Sequence, residues 1–285
     1  MTYLLIVSLL WSFSFVIIKK SLVMLDPYFV SAVRLTLSML VFLPFLRFRG
    51  LSSRLIAKLL ALGAVQFGIM YACYTASFAY LPAYMLVLLT TTTPLLVVFF
   101  DMLFSRRNVP VFWVAAFLVV IGAWLLKYQG QSLEFDWYGV MLLQISNCAF
   151  ALGQLWYRQI VKDHVGLNDK QVFPIIYAGG AAICIVASLF TVNFSTLAVT
   201  SHQAWLLLYL GVIASGICFF MWNRGATQVG AGTLGLMNNL KIPLGVVVSI
   251  VVLKEKFNLW LLIVSLALFM AALWLCRRAE KQQKA

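Results

Sequence analysis

The sequence has little charge of either sign, and acidic residues are especially few. Only 10% of its 285 residues are charged, with 8 acidic against 21 basic side chains, whereas 64% are hydrophobic. A soluble domain carries about 25% charged and about 45–50% apolar residues, because its surface needs polar cover. A water-soluble fold is therefore excluded, and the net charge of +13 does not indicate nucleic-acid binding. We expect an integral membrane protein whose surroundings are the lipid bilayer.

The residue types that build catalytic centres and metal sites are also scarce. The two histidines, His164 and His202, fall in separate predicted loops, and the five cysteines are scattered through apolar stretches without a C-x-x-C pair. Metal sites and disulfide frameworks need closer or more regular spacing. Paired carboxylates at membrane depth, which an intramembrane enzyme would need, are missing as well. The sequence therefore predicts neither an enzyme nor a bound metal or cofactor.

Long apolar runs fill nearly the whole chain. A helix that crosses the hydrocarbon core needs about 20 mostly apolar residues. Runs of this kind predict an all-α protein with ten transmembrane helices, at Thr2–Ile18, Pro27–Leu46, Leu55–Tyr80, Ala83–Phe104, Val109–Leu126, Trp137–Tyr157, Val172–Phe190, Trp205–Asn223, Ala231–Val252 and Leu259–Leu275.

Basic residues are distributed unevenly between alternate predicted loops. When the N-terminus is placed inside, the cytoplasmic side receives most of the Lys and Arg residues, and the opposite side receives Lys19, Lys20, Lys127, Lys254 and Lys256. Lys and Arg concentrate in the cytoplasmic loops of membrane proteins. We therefore expect both termini in the cytoplasm. This asymmetry also explains most of the positive charge without an acidic partner.

The two halves of the chain resemble each other. The segment Gly63–Gly68 aligns with Gly211–Gly216, and further along Pro94-Leu-Leu-Val-Val aligns with Pro243-Leu-Gly-Val-Val. These matches predict two five-helix repeats. Because five is an odd number, the second repeat enters the membrane upside down relative to the first.

The repeats divide the chain into residues 1–130 and 131–285. Inverted repeats are the construction of many secondary transporters, whose substrate site lies near the middle of the bilayer between the halves. We therefore expect a site at this interface and a mechanism of alternating access.

Several motifs resemble those of the drug/metabolite transporter superfamily, of the EamA-like type, over essentially the whole chain. They are the Trp11–Val16 segment, the run from Pro27 to Arg34 and the proline in the fourth helix of each repeat. Two further segments are similar to the bacterial biotin transporter branch of that superfamily, namely Ala214–Asn239 and Gln144–Gly153. One departure from that branch is Lys241, where a histidine is expected.

The resemblance implies a secondary transporter in the bacterial inner membrane. Its substrate is then a small carboxylate metabolite, with biotin uptake as the leading hypothesis. The alternatives are an exporter of amino acids or other amphipathic metabolites from the same superfamily, and a membrane scaffold that does not transport. The sequence leaves open whether the chain forms a homo-oligomer.

The ninth predicted helix carries the most unusual polar group, Lys241, at its centre. An ionisable side chain at this depth costs several kcal/mol and usually marks a functional site. Asn238 and Asn239 come just before it, and Pro243 lacks the backbone donor that the turn at Asn239 would use. Because no carboxylate lies at the same depth, we expect these three polar side chains to bind an anionic substrate. A neutral lysine against helix carbonyls is the alternative.

Other polar and aromatic side chains are candidates for the same site. Gln144, Asn147 and Gln154 share one face of the sixth helix at 100° per residue, and Thr91 lies in the threonine run before Pro94. Polar side chains on such a face line a substrate cavity or join helices. The aromatic candidates, which stack on a substrate or belong to interfacial belts, are Trp11, Tyr71, Tyr74, Tyr84 and Trp222.

Two charged residues are expected to have structural or gating roles. Arg34 lies inside the second helix, where its position in the resembled family suggests that it ties helices together or closes a gate. Asp101 lies near the cytoplasmic end of the fourth helix and is predicted to form an ion pair with Arg106 and Arg107.

Two pairs of matching residues are candidate hinges. Pro94 and Pro243 occupy equivalent places in the two repeats and soften their helices. Gly68 and Gly216, also equivalent, are the alternative hinge positions.

Overall fold

The computed structural model describes residues 1–21, 25–128, 136–195, 197–253 and 257–282, and the side chains within these ranges other than those of residues 13–21, 83, 249, 252 and 253. All the regular elements within these ranges are helices. The charged cluster Lys254–Lys256 and the proposed repeat boundary at residues 130 and 131 lie outside the described residues.

The helices follow the predicted order. They are α1 (Thr2–Ser21), α2 (Pro27–Phe42, continued by a 3₁₀ turn at Leu43–Phe45), α3 (Ser53–Gly63), α4 (Met70–Ser77), α5 (Ala83–Thr90), α6 (Thr93–Ser105), α7 (Pro110–Lys127), α8 (Trp137–Asp163), α9 (Asp169–Thr191), α10 (Ser201–Tyr209), α11 (Cys218–Ala226), α12 (Ala231–Leu253) and α13 (Leu259–Gln282). Nine described spans are long and apolar enough to cross a membrane, and the described apolar part of α1, Thr2–Ser12, is shorter. The predicted all-α membrane fold is confirmed.

Two helices continue well past the predicted ends of their apolar runs. Helix α8 extends to Asp163 and α13 extends to Gln282. The predictions ended these helices at Tyr157 and Leu275 because charged residues follow there. Charged residues do not stop a helix that has left the hydrocarbon layer, so these extensions carry charge beyond the apolar segment.

Helix starts are fixed by capping side chains near the predicted positions. Asp26 accepts hydrogen bonds from the backbone N–H groups of Tyr28 at 2.8 Å and Phe29 at 3.0 Å. Pro27 occupies the first turn, where no intrahelical donor is needed. Thr200 and Gln203 form a reciprocal capping box at the start of α10. Such caps satisfy backbone donors that are otherwise left without partners.

Two spans contain a π-helical segment in the middle. The first π-segment, Ala64–Ile69, joins α3 to α4, and the second π-segment, Leu210–Ile217, joins α10 to α11. They coincide with the two aligned glycine motifs. π-helical turns are rare and occur mainly at functional sites.

Close backbone packing accompanies the first π-segment. A Cβ atom added at Gly63 would lie 1.7 Å from the carbonyl oxygen of Ile176 in α9. Gly179 of α9 is equally constrained, since a Cβ there would lie 2.1 Å from the carbonyl oxygen of Leu60. Only glycine lets α3 and α9 approach this closely.

The fourth span is broken at the threonine run before Pro94. Helix α5 ends at Thr90 and α6 begins at Thr93. The hydroxyl groups of Thr91 and Thr92 donate to carbonyl oxygens three residues earlier, at 2.5 and 2.8 Å. This three-residue spacing reflects the tighter turn at the break.

The equivalent helix of the second half stays intact. Helix α12 runs continuously through Pro243, so the predicted loosening near Asn239 does not end it. The two prolines differ in their position within the helix. Pro94 lies in the first turn of a new helix, whereas Pro243 lies in an interior turn whose neighbours keep their backbone bonds.

The two largest apolar clusters of the described core meet at a group of aromatic rings. One surrounds Trp222 and draws on α1, α6, α7, α8, α11, α12 and α13. The other surrounds Tyr177 and draws on α2, α3, α4, α8, α9, α11 and the first π-segment. Trp11 and Phe150 pack against both clusters. The candidate site lies at this meeting point.

Candidate functional site

Lys241 lies on the face of Trp11. The ammonium nitrogen Nζ is 5.3 Å from the centroid of the indole ring, within the range of cation–π attraction. Trp11 in turn stacks on Trp222, with centroids 5.0 Å apart and an interplanar angle of 29°, and meets the edge of Phe219 at 5.3 Å. Three residues singled out from sequence, on α1, α11 and α12, are therefore brought together.

A fully buried group of amides continues from this aromatic pair. The indole N–H of Trp222 donates to Oε1 of Gln154 at 2.8 Å. Gln154 and Asn238 exchange two longer hydrogen bonds, from Nδ2 of Asn238 to Oε1 at 3.3 Å and from Nε2 of Gln154 to Oδ1 at 3.4 Å. Gln154 is 0% exposed and Asn238 is 2% exposed. Gln154 thus holds a tryptophan and an asparagine in fixed positions.

The break between α5 and α6 is bound by asparagines. Asn239 donates through Nδ2 to the carbonyl oxygen of Thr91 at 2.8 Å, and Asn147 donates through Nδ2 to that of Leu89 at 3.0 Å. Both carbonyls lie at the break, where the regular backbone hydrogen bonds of α5 end. Gln144 accepts a hydrogen bond from the hydroxyl of Thr92 at 3.1 Å. Gln144 and Asn147 of α8 therefore face the break between α5 and α6.

The second π-segment receives side-chain donors from three other helices. Three of its carbonyl oxygens accept bonds, from Ser38 Oγ to Gly211 at 2.9 Å, from Trp11 Nε1 to Ala214 at 2.9 Å and from Tyr177 OH to Gly216 at 2.6 Å. Such bonds compensate a backbone whose hydrogen-bond ladder is disturbed. Trp11 therefore contacts both Lys241 and this segment.

Arg34 joins α2 to the second π-segment and to α4. Its Nε donates to Oγ of Ser215 at 3.0 Å, and its guanidinium carbon lies 5.0 Å from the ring centroid of Tyr71. The hydroxyl of Tyr71 is 3.4 Å from the same Oγ. Arg34 therefore contacts both the second π-segment and α4, and Tyr71 has a partner other than a substrate ring.

Tyr74 and Tyr84 belong to a different part of the molecule. Both pack against the apolar cluster around Leu86 and Leu143, and Tyr74 meets the edge of Phe78 with ring centroids 5.2 Å apart. Among the described residues, neither tyrosine belongs to the aromatic group around Trp11. The sequence could not separate them, because aromatic residues of either kind look alike in an apolar run.

The ion pair predicted for Asp101 is not formed. Within the described ranges, the one side-chain ion pair closer than 4 Å joins Arg224 to Asp169 at 3.4 Å. Helix α6 ends with Arg106 in a left-handed backbone conformation, φ 54°. Residues five and six positions after Asp101 are not its neighbours on a helix face, where partners are three or four residues apart.

The candidate hinges occupy three kinds of position. Pro94 lies at the start of α6 and Pro243 lies inside α12. Gly68 and Gly216 lie within the two π-segments. A Cβ at Gly68 would lie 2.7 Å from Cβ of Ile183, so this glycine also permits close packing on α9.

Sequence reasoning missed one buried contact between the two halves. Gln66 of the first π-segment donates through Nε2 to Oδ1 of Asn223 in α11 at 3.0 Å, and both side chains are 0% exposed. The signal available in the sequence was that Gln66 is a polar residue inside an aligned glycine motif. Whether it faces another helix depends on the rotation of its own helix, which the motif does not specify.

Comparisons with known proteins place the chain among transporters. The model of the EamA-like transporter family matches residues 1–128 and 137–277. The chain is 37% identical over 280 residues to a protein of Salmonella typhimurium named biotin transporter, with 98% of this chain and 93% of that protein covered. It is 36% identical over 280 residues, with the same coverage, to the biotin transporter of Escherichia coli strain K12.

A solved crystal structure shares the fold. It superposes with a TM-score of 0.79 and covers 96% of this chain and 95% of that one, at 16% sequence identity. At this identity the likeness concerns the fold alone.

Proposed function

The chain belongs to the EamA-like transporter family, and from this premise we propose that it is a secondary transporter that takes up biotin across the bacterial inner membrane. It is a transporter and not an enzyme. Full-length relatives in two bacteria are named biotin transporter, which supports the choice of substrate. The chemistry of the candidate site supports it independently.

The observation that carries the proposal is the placement of the Lys241 ammonium 5.3 Å from the ring centroid of Trp11, which itself stacks on Trp222. Biotin has a carboxylate on an aliphatic chain and a compact bicyclic ring with a cyclic urea. A carboxylate pairs with an ammonium through a charge-assisted hydrogen bond. Indole faces next to that ammonium offer apolar surface to the chain and ring.

The amides near Lys241 suit the other end of such a substrate. A cyclic urea has two N–H donors and one carbonyl acceptor, and carboxamides provide both functions. Asn238 and Asn239 precede the lysine on α12. Asn239, Asn147 and Gln144 all bond to the break between α5 and α6. These groups now bond to one another and to backbone, so substrate binding would exchange some of these bonds.

The transport cycle follows from the two halves. In our proposal residues 1–130 and 131–285 are inverted repeats, both termini are cytoplasmic, and the repeats rock around the site. The site draws on both halves, with Trp11 from the first and Lys241 from the second. The matching positions of the two π-segments support an internal repeat.

Uptake of radiolabelled biotin tests the function directly. A bacterial strain that lacks its own biotin uptake is transformed with the wild-type chain, with Lys241→Met, or with Lys162→Met as a matched control at the exposed end of α8. The proposal predicts accumulation with the wild type and the control, and strongly reduced accumulation with Lys241→Met at equal membrane expression. Leakage of intracellular amino acids without biotin uptake would instead identify an exporter.

A further inference from the structure

A groove lies at the end of α13, away from the candidate substrate site. Its volume is about 640 Å³, and its walls include the apolar side chains of Met270 and Trp274 and the basic side chains of Arg277, Arg278 and Lys281. Residues at this spacing recur on one stripe of a helix. The stripe changes from apolar to basic where α13 passes beyond its predicted membrane end at Leu275.

The groove is positively charged in the structure. The one acidic residue among its described walls, Glu280, already accepts hydrogen bonds from the backbone N–H of Thr233 at 2.9 Å and from its hydroxyl at 3.1 Å. The single close ion pair in the described part of the chain, Arg224–Asp169, lies elsewhere. Among the described residues, the three cations of this groove therefore have no carboxylate within 4 Å.

The apolar part of the groove points to a ligand with hydrocarbon chains. Met270 is 60% exposed and Trp274 is 59% exposed, and tryptophan favours the boundary between hydrocarbon and headgroups. The guanidinium carbon of Arg278 lies 5.4 Å from the Trp274 ring centroid, which fixes a cation at that boundary. A second depression of about 280 Å³ shares Trp274 and Arg278 and reaches Val111 of α7.

We propose that this groove binds an anionic phospholipid, with the phosphate held by Arg277, Arg278 and Lys281 and the acyl chains lying along Met270 and Trp274. Basic pockets at the cytoplasmic ends of membrane helices attract anionic headgroups. Phosphate alone would satisfy the cations but would leave the exposed apolar wall uncovered. Because Glu280 also binds the first turns of α12, the lipid lies beside the helix that carries Lys241.

The test is native mass spectrometry of the purified full-length protein with phosphatidylglycerol or phosphatidylcholine of identical acyl chains. The first variant is Arg277→Gln/Arg278→Gln/Lys281→Gln. The matched control removes the same number of charges from exposed positions on the α2–α3 connection, α3 and α8, through Arg49→Gln/Arg54→Gln/Lys162→Gln. A thermal unfolding scan verifies that each variant is folded.

The wild type and the control variant are expected to retain phosphatidylglycerol at least about tenfold more than phosphatidylcholine, and the groove variant is expected to retain the two equally. Equal retention of both lipids by the wild type would overturn the proposal. An equal loss in the control variant would also overturn it, because general surface charge would then be the cause. Displacement of the lipid by millimolar inorganic phosphate would show a free-anion site instead.

Discussion

The indole N–H of Trp11 donates a 2.9 Å hydrogen bond to the carbonyl oxygen of Ala214, inside the second π-segment. The face of the same indole carries the ammonium of Lys241 at 5.3 Å. One rigid side chain thus links the proposed carboxylate-binding group to the irregular part of the eighth span. A substrate that draws Lys241 away from the ring would therefore change the surroundings of the side chain that is hydrogen-bonded to this segment.

Replacement of Trp11 by Phe tests that link. Phe keeps an aromatic face for Lys241 but removes the N–H, which contributes about 0.5–1.5 kcal/mol as a typical net hydrogen bond. We expect biotin affinity in detergent to change little and the maximal uptake rate to fall by a few-fold to about tenfold. Trp113→Phe, which removes a surface bond to Asn108, is the control. Weaker binding with an unchanged maximal rate would mean that Trp11 lines the substrate site but does not link it to the second π-segment.

Gln154 is expected to act as a positioning residue for Trp222 and Asn238. Gln154→Met keeps the length of the side chain but leaves a buried indole N–H and a buried amide without their partner, at a cost of about 1–3 kcal/mol for each unsatisfied group. We expect a lower unfolding temperature and a higher KM for biotin. Gln159→Met on the exposed face of α8 should change neither the unfolding temperature nor the KM. Identical behaviour of the two variants would refute the role of Gln154.

The prolines of the two fourth helices are expected to ease bending during the exchange of gates. Pro94→Ala and Pro243→Ala should leave biotin binding intact and slow translocation, with the larger effect at Pro243, because an alanine there regains an interior backbone bond to Asn239. Pro110→Ala, at the first turn of α7, is the control. If both variants transport at the native rate, the hinges lie at Gly68 and Gly216 in the π-segments.

The sequence was sufficient to predict the helices and to single out Lys241 as a candidate. Apolar run length predicts a membrane span, and a lysine inside such a run is unusual enough to stand out in the sequence alone. Trp11 and Trp222 were candidates by residue type, and in the structure Trp11 contacts both Lys241 and Trp222.

The remaining features depend on tertiary contacts that a pattern does not contain. Both π-segments coincide with glycine motifs, and the second one receives hydrogen bonds from Ser38 and Tyr177 of other helices. The expected ion pair of Asp101 with Arg106 and Arg107 is not formed, because residues five and six positions apart do not face each other on a helix and α6 ends at Ser105. Helix rotation likewise decided that Tyr84 packs in a separate cluster from Trp11.

The most direct test of the account measures the affinity of the purified protein for biotin and for biotinamide, its neutral carboxamide, in the wild type and in Lys241→Met. A charge-assisted bond contributes about 1.5–3 kcal/mol, so Lys241→Met should bind biotin about 10–150-fold more weakly while its affinity for the neutral analogue hardly changes. The preference for the acid over the amide should then disappear in the variant. An unchanged affinity for biotin in a folded Lys241→Met protein would contradict the assignment of Lys241 as the carboxylate-binding group.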